Sequence, residues 1–478
     1  MKRVFVFFLV FLSVNFMAQN DSFQPNHGIT NKYLPTYALT NATIHISSKE
    51  IIKKGTLLIN GTKIISVGKD VNIPKNSIIL NMDGKHIYHS FIELNSQLGI
   101  IKETSKKRSS TPQYNTSKPG PFHWNEAIRP EYKSENHYIY DNIKSKDYIK
   151  KGFGVVLTHN QNGIIRGSGA LVCLSNKKEE QLLKGSGATF FSFDKGTSNQ
   201  VYPRSLMGSI ALLRQFFIDA NWYENSIKTT KNLSYEAYLE QKSFPKIFSI
   251  DYKRDLFRAQ KIANEYNLSF IYKGTGREYE NINQIIDLNP SLIVPLNYPK
   301  AMDLGDPYDA MKISTNDLTH WKYAASNLAL LEKENLNFCI TSDTLNFKDF
   351  FNNLSLAVNR GLSYEKAYYS LTEGPAKLLG IDGFCGTIKE GNLANILVSN
   401  DTLFKNKTII YENWVLGERN ILEKKPINDL RGSYNLNINQ NIRKLVVKGT
   451  LEKPSAEIIY NVISDSISKT GEIVFDSS

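Results

Sequence analysis

Cysteine is scarce in this sequence, with Cys173, Cys339 and Cys385 spread over 478 residues. Three widely spaced cysteines exclude both a disulfide framework and a cysteine-based zinc site. The sequence also lacks a dense basic run interleaved with aromatic residues, so its formal charge of +12 indicates a solvated basic surface and not a nucleic acid site. What remains is an ordinary globular composition, with 41% hydrophobic and 22% charged residues.

The N-terminus has the pattern of an export signal. Lys2 and Arg3 form a positive region, an apolar run covers 4–14, and a cleavage site is predicted before Gln19. The run is shorter than the about 20 residues of a spanning helix, and no cysteine follows it, which argues against a lipoprotein anchor. The prediction is a signal peptide over 1–18 and an exported, soluble protein, periplasmic or extracellular; a buried N-terminal helix is the alternative.

Short strands with turns occupy both ends of the remaining chain. Alternating apolar residues begin at Tyr37, and Asn60-Gly61 is a strong hairpin signal. Strand-like patterns return after Gly386. We therefore expect a small composite β-sandwich built from 33–86 plus 386–425, followed by a β-rich C-terminal extension over 430–478.

Between these ends, strands alternate with helices, which predicts an α/β fold with a TIM-like (β/α) barrel over 87–385. One predicted helix runs from Met207 to Asn221, with its apolar positions at Met207, Ile210, Ala211, Phe217 and Ile218. Another is predicted from Leu318 to Glu334. The predicted strands are Val155–Thr158, Lys246–Ile250, Leu268–Tyr272, Ser291–Pro295 and Asn337–Thr341.

Four motifs carry a family resemblance. They are the hairpin Asn60–Gly68, the segment Asp83–Tyr88, the stretch Thr372–Gly380 and the closing segment Gly386–Val398. Each motif is weakly specific, but their order and spacing resemble the amidohydrolase superfamily, and in particular an exported bacterial form of its imidazolonepropionase-like branch. The resemblance covers about residues 37–419. In the closing segment, Asn395 stands where the family usually has an aspartate.

This resemblance implies hydrolysis of carbon–nitrogen bonds outside ordinary peptides. The family uses zinc or another divalent metal, which lowers the pKa of a bound water. Its ligands are a His-x-His pair after the first strand, histidines after later strands and a final aspartate. In this sequence the His-x-His positions hold Asn95 and Gln97, the fifth-strand position holds Lys273, and only the aspartate is retained, as Asp343.

The substituted positions suggest a specific arrangement. Lys273 carries a positive charge near neutral pH, so it would repel a metal ion and could pair with Asp343. We therefore predict an internal ion pair across a metal-free barrel mouth, and Asp343 is the candidate catalytic residue only by its family position. The alternative is that the two residues never meet, with Asp343 capping a helix and Lys273 in solvent.

A second set of residues could build a rearranged metal site. His159 ends a predicted strand, and Glu93 stands where the family has an aspartate. Together with Asp343, and with Asp303 or Asp306, they could hold a metal ion. A strand-end histidine that only makes structural hydrogen bonds is the other interpretation of His159.

These patterns leave three functions open. The first is a metal-site-degenerate amidohydrolase that acts as a binding subunit or supports a separately encoded active amidohydrolase. The second is an active hydrolase with a rearranged site, and the third is a periplasmic small-ligand-binding protein. No cofactor is predicted for the first, and whether the chain is an enzyme stays open.

Overall fold

The structure, a computed structural model, describes residues 34–104, 112–176, 182–227, 230–343, 345–405, 408–423, 431–438, 441–450, 454–461 and 466–472. The signal peptide predicted over 1–18 lies outside these ranges. Within them, no helix has both the length and the apolar character that crossing a bilayer requires.

Strands and helices fall into three regions along the chain. The first and third regions contain strands: β1 (Thr36–His45), β2 (Ile51–Asn60), β3 (Lys63–Gly68), β4 (Ile78–Asn81) and β5 (His86–His89), then β14 (Ile396–Ser399), β15 (Ile410–Val415), β16 (Glu418–Ile421), β17 (Gly432–Ile438), β18 (Asn441–Gly449), β19 (Pro454–Asn461) and β20 (Ser466–Glu472).

The middle region mixes both types of element. Its strands are β6 (Phe91–Ser96), β7 (Phe153–Thr158), β8 (Ile165–Cys173), β9 (Leu182–Ser192), β10 (Lys246–Ser249), β11 (Phe270–Lys273), β12 (Ser291–Pro295) and β13 (Phe338–Thr341). Its helices are α1 (Asn142–Lys150), α2 (Leu206–Asn225), α3 (Leu233–Glu240), α4 (Asp255–Glu265), α5 (Ile282–Leu288), α6 (Pro307–Lys312), α7 (Thr315–Tyr323), α8 (Asn327–Lys333), α9 (Phe347–Asn359), α10 (Tyr364–Tyr369) and α11 (Glu373–Leu379).

Both chain ends contribute to one sheet. Its order is β16-β15-β14-β5-β1-β2-β3, with β4 added on β1. The two ends join where β14 runs antiparallel to β5, which pairs Ile396 with His89 and Ser399 with His86. The described strands are hydrogen-bonded as a single sheet, so the composite origin is seen, but a two-layered sandwich is not confirmed. The boundaries 33–86 and 386–425 stay predictions.

The hairpin between β2 and β3 illustrates how the sequence directs this sheet. Asn60 pairs with Lys63 across the turn, and Gly61 has a φ of +54°. A residue with a side chain adopts that left-handed conformation at a cost that glycine does not have. The hairpin predicted from Asn60-Gly61 is therefore present.

A second sheet forms the centre of the molecule. Its order among the described residues is β13-β12-β11-β10-β9-β8-β7-β6. Parallel pairing runs from β9 to β13 and between β6 and β7, whereas β8 is antiparallel to both of its neighbours. The apolar strand residues are buried on the core, which agrees with strands that are covered on both faces.

The closed barrel expected from the sequence is not detected. No ladder joins β13 to β6 in the described chain; instead, Ile92 N–H donates to Leu371 O at 2.8 Å and Ile340 N–H donates to Ser370 O at 3.0 Å. A segment outside the strands thus lies between the two edges. We call this junction the seam. The fold is a mixed α/β fold in which eight described strands curve toward closure without a complete ladder.

Two predicted helices differ in detail. The predicted apolar face of α2 is right only in part. Phe217 is buried and Ile210 packs against the core, but Met207 is 80% exposed and Ile218 is 53% exposed. Other buried side chains of the helix are Leu212, Phe216 and Ala220. The helix has apolar residues on several sides, so periodicity alone shifted the face. The helix predicted over 318–334 is interrupted by a 3₁₀ turn at Ala324–Ser326, which separates α7 from α8.

The C-terminal strands form a separate sheet. The described parts of β17, β18, β19 and β20 pair antiparallel, each with the next strand along the chain. This meander corresponds to the β-rich extension that the sequence predicted after residue 430, whose boundaries stay a prediction.

Candidate functional site

Polar side chains converge where the central parallel strands end. Glu93 comes from β6, His159 follows β7, Lys273 ends β11, and Asp343 follows β13. Because parallel strands present their carboxyl ends on the same side of the sheet, these side chains gather at one mouth. We distinguish the floor of the mouth (Glu93, Thr341, Ser342) from its rim (Asn95, His159, Lys273, Asp343).

The floor is a buried carboxylate surrounded by donors. Glu93 is fully buried, and its Oε1 accepts from Leu94 N–H at 2.9 Å and Asn95 N–H at 3.0 Å, and from Thr341 Oγ1. Its Oε2 accepts from the backbone N–H and the hydroxyl of Ser342, at 2.8 and 2.6 Å. Every donor is neutral. Burial raises the pKa of Glu93, and the hydrogen bonds oppose that rise.

The floor also holds the seam together. Glu93 belongs to β6, whereas Thr341 and Ser342 lie at the end of β13. The carboxylate therefore connects the two edge strands where no ladder does. This makes Glu93 a structural clasp, with both of its oxygens already occupied by donors.

The rim is organised around Asp343, which has a φ of +46°. Lys273 Nζ lies 3.3 Å from Asp343 Oδ2, and Asn297 Nδ2 donates to the same oxygen at 3.2 Å. Asn95 Nδ2 donates to Asp343 Oδ1 at 3.3 Å. The structure thus brings Lys273 and Asp343 together, and the interpretation in which they never meet does not describe it.

Asn95 links Asp343 to the histidine of the rim. Its Oδ1 lies 3.0 Å from His159 Nε2 and accepts from Gln161 Nε2 at 3.4 Å. The His159 ring stacks on Phe190, with centroids 3.5 Å apart and planes at 3°. Both the oxygen and the nitrogen of the Asn95 amide are therefore engaged within the protein.

His159 is neutral at physiological pH. It is buried, and burial together with the nearby positive charges of Arg166 and Lys273 lowers its pKa to about 3. Its Nδ1 lies 3.0 Å from Asn160 O, so each ring nitrogen faces an oxygen. A neutral imidazole donates from one nitrogen only.

Sequence reasoning missed Arg166, and it placed Asn297 only near a sixth-strand position that has no histidine. Arg166 lies in β8, is 6% exposed, and donates from Nε to Gly163 O at 2.9 Å and from Nη1 to Ser249 Oγ at 3.1 Å. A charged residue inside the apolar segment 164–173 was the signal that could have pointed to Arg166.

The rim borders a cleft of about 900 Å³. Asn95, Gln97, Gln161 and Asp343 line one part of it, and Tyr148 and residues 98–102 and 139–144 line the rest. Gln97, which the sequence predicted at the second His-x-His position, is half-buried there. The cleft is thus large enough for a small organic molecule.

The acidic residues proposed for a rearranged site make other contacts. Asp303 Oδ1 accepts from Gly305 N–H at 2.9 Å, and Asp306 Oδ1 caps α6 by accepting from Tyr308 N–H at 2.7 Å. Both residues are exposed. Each stabilises its own turn.

The donor set does not fit the divalent metal that the family implies. The Lys273 ammonium contacts Asp343, and the two His-x-His positions hold amides, which are poor zinc ligands. Asn95 already has both amide atoms engaged. Across the described ranges, no three His, Cys, Asp or Glu side chains are grouped so that they could hold an ion.

Comparison with known proteins agrees with this fold. A model of the amidohydrolase family matches residues 323–451, which include β13 and Asp343. An amidohydrolase from Thermotoga maritima MSB8 is similar in structure, with 19% identity and a TM-score of 0.62 over 80% of this chain and 99% of that one. No curated protein matches the sequence.

More distant structures are also similar. A β-aspartyl dipeptidase from Fervidobacterium islandicum AW-1 has 12% identity and a TM-score of 0.44, over 81% of this chain and 97% of that one. A molinate hydrolase has 12% identity and a TM-score of 0.43, over 81% and 95%. The match of the amidohydrolase family model over 323–451 confirms the resemblance to the amidohydrolase superfamily. Assignment to the imidazolonepropionase-like branch stays a prediction.

Proposed function

We propose that this protein is a metal-independent member of the amidohydrolase fold that binds a small ligand in the cleft at the barrel mouth. The observation that carries the proposal is the contact of Lys273 Nζ with Asp343 Oδ2 at 3.3 Å. A lysine ammonium has no lone pair to give to a metal and repels a cation. Lys273 therefore takes the place of a metal ligand, and its charge neutralises that of Asp343.

The hydrogen bonds around the rim support the same proposal. Asp343 accepts from Lys273, Asn95 and Asn297, so an interaction with a metal would have to compete with three donors. The cleft of about 900 Å³ beside these residues gives a ligand room to bind. Binding needs no activated water, which the donor set is poorly suited to supply.

An active hydrolase with a rearranged site has less support. It would need Glu93 as a base or ligand, yet both oxygens of Glu93 are occupied by donors in the buried floor. It would also need a free lone pair on His159 Nε2, which lies against Asn95. Support of a separately encoded amidohydrolase stays a prediction.

The test is metal content with a built-in positive control. The purified protein and the variant Asn95→His/Gln97→His/Lys273→His are incubated with zinc, dialysed and measured by elemental analysis. We expect no retained zinc in the wild type and about one ion per chain in the variant, whose three imidazoles and Asp343 form a four-ligand set. One tightly held ion in the wild type would overturn the proposal.

Export is part of this proposal. A signal peptide over 1–18 predicts a mature protein that begins at Gln19. N-terminal sequencing of the protein recovered outside the cytoplasm measures this directly. A protein that keeps Met1 and stays in the cytoplasm would contradict it.

A further inference from the structure

Arg166 is a buried cation that forms no ion pair with any residue that the structure describes. It is 6% exposed, and its hydrogen bonds go to Gly163 O and Ser249 Oγ, which are both neutral. Among the residues that the structure describes, no carboxylate lies within 4.0 Å of its guanidinium. Buried charges in proteins are normally paired, because removing them from water without a partner is costly.

Lys273 lies next to this guanidinium through the strand register. Ser249, which accepts from Arg166, pairs with Lys273 between β10 and β11. Side chains of directly paired residues point to the same face of a sheet. Lys273 therefore faces the interior beside Arg166, and among the described residues its Nζ makes one polar contact, of 3.3 Å, with Asp343. Two cations thus share one side of the rim, and Asp251 interacts electrostatically with both of them.

We propose that Arg166 and Lys273 bind a carboxylate group of the ligand that occupies the mouth. This inference rests on the proposed function and names the ligand class that the site selects. A carboxylate matches the planar donor fork of a guanidinium and would supply the anionic partner that Arg166 lacks. The rest of the ligand would then face the amides of Asn95, Gln97 and Gln161 at the cleft.

The acidic groups around this pair favour a ligand with a single negative charge. Asp194 and Asp251 interact electrostatically with Arg166, and Asp251 interacts with Lys273 as well. Asp343 contacts Lys273 directly. A singly charged carboxylate meets less repulsion from these acidic groups than a doubly charged phosphate does.

Acetate and its neutral analogue acetamide test this directly. The Arg166 Nε–H resonance is followed by NMR during titration with each compound, at constant ionic strength with sodium chloride. We expect saturable shifts with acetate and an affinity for acetamide that is about tenfold weaker or less, since charge-assisted hydrogen bonds are the stronger ones. Arg360→Gln, which changes an exposed arginine, should leave the response unchanged.

Two variants test whether Arg166 and Lys273 bind a ligand or only stabilise the fold. Asp343→Asn removes the carboxylate that competes for Lys273, so acetate should bind several-fold more tightly. Lys273→Met should weaken acetate and leave acetamide unchanged, and neither change touches Arg166. Equal binding of acetate and acetamide, absence of a saturable acetate shift, or tighter binding of phosphate than acetate would each overturn the inference. Retained zinc in the wild type would instead contradict the proposed function.

Discussion

The floor and the rim of the mouth each contain one carboxylate, and the two carboxylates differ in burial and in the charge of their partners. Glu93 is fully buried among neutral donors and ties β6 to β13. Asp343 is partly exposed and pairs with a cation and two amides. A carboxylate with every lone pair satisfied inside the protein stabilises the fold, whereas one whose partner can be replaced is suited to recognition.

The largest expected effect is the loss of the floor carboxylate. Glu93→Ala leaves the hydroxyls of Thr341 and Ser342 and nearby backbone N–H groups buried without an acceptor. We expect the free energy of unfolding to fall by about 3 kcal/mol or more, as measured by urea denaturation. Glu390→Ala, at an exposed glutamate, is the control. A loss below about 1 kcal/mol would show that the floor does not hold the seam.

The stability of the protein should depend on pH through His159, the neutral histidine of the rim. His159 has a pKa of about 3 in the folded protein and 6.5 as a free side chain. The unfolded chain therefore binds a proton in this interval that the folded protein does not. Stability falls as the pH falls below 6.5, by about 1.4 kcal/mol per pH unit for this group, until the pH approaches 3.

This prediction is checked by the slope of the unfolding free energy against pH, and not by the stability at a single pH. His159→Gln should lower the slope of unfolding free energy against pH by about one proton, even if the substitution also costs packing. A residual slope is expected, because burial also lowers the pKa of His45 to about 3 and that of His89 to about 4. An unchanged slope would show that His159 is protonated in the folded protein.

Breaking the ion pair of the rim should lower the free energy of unfolding by less than Glu93→Ala does. Lys273 and Asp343 have side chains that are 19% and 17% exposed, so water screens their attraction. We expect Lys273→Met to lower the free energy of unfolding by about 1 kcal/mol, with the difference shrinking at high salt. A loss as large as that of Glu93→Ala would place the pair among the structural contacts of the floor.

The smallest expected effect is that of Asp343→Asn on stability. Asparagine tolerates the left-handed conformation that residue 343 adopts, with its φ of +46°. Its amide can also keep an acceptor toward Asn95 or Asn297. We expect the free energy of unfolding to change by less than about 0.5 kcal/mol in urea denaturation. A larger loss would mean that the rim needs its negative charge for folding.

The sequence identified Lys273 and Asp343 of the rim, but it did not predict the strand β8 and the arginine that lie beside them. Lys273 and Asp343 were identified because family positions and strand ends place them at one mouth. The antiparallel strand β8 was not predicted, since its apolar run resembles a parallel strand and its direction depends on pairing with distant segments. Arg166 was missed for the same reason, because the face of a strand residue is set by register and not by composition.

The clasp role of Glu93 also lay beyond sequence reasoning. Its partners Thr341 and Ser342 are about 250 positions away in the chain, and hydroxyl residues at a strand end have no distinctive pattern. The contribution of both chain ends to one β-region was easier to predict, because hairpin signals and closing motifs are local in the sequence. The organisation of that region as a single sheet depends on the pairing of β5 with β14, which only the three-dimensional structure gives.

The seam has a mechanical consequence. In a fully laddered barrel the circumference is fixed, because widening it anywhere requires breaking a row of strand hydrogen bonds. Among the described residues, the polar contacts of the joint between β6 and β13 are two backbone hydrogen bonds through residues 370–371, the Glu93 carboxylate and the hydrogen bond from Asn95 to Asp343. We therefore expect this joint to open before the laddered strand pairs do. The amide hydrogens of Ile92 and Ile340 should exchange with solvent sooner than those between β10 and β11.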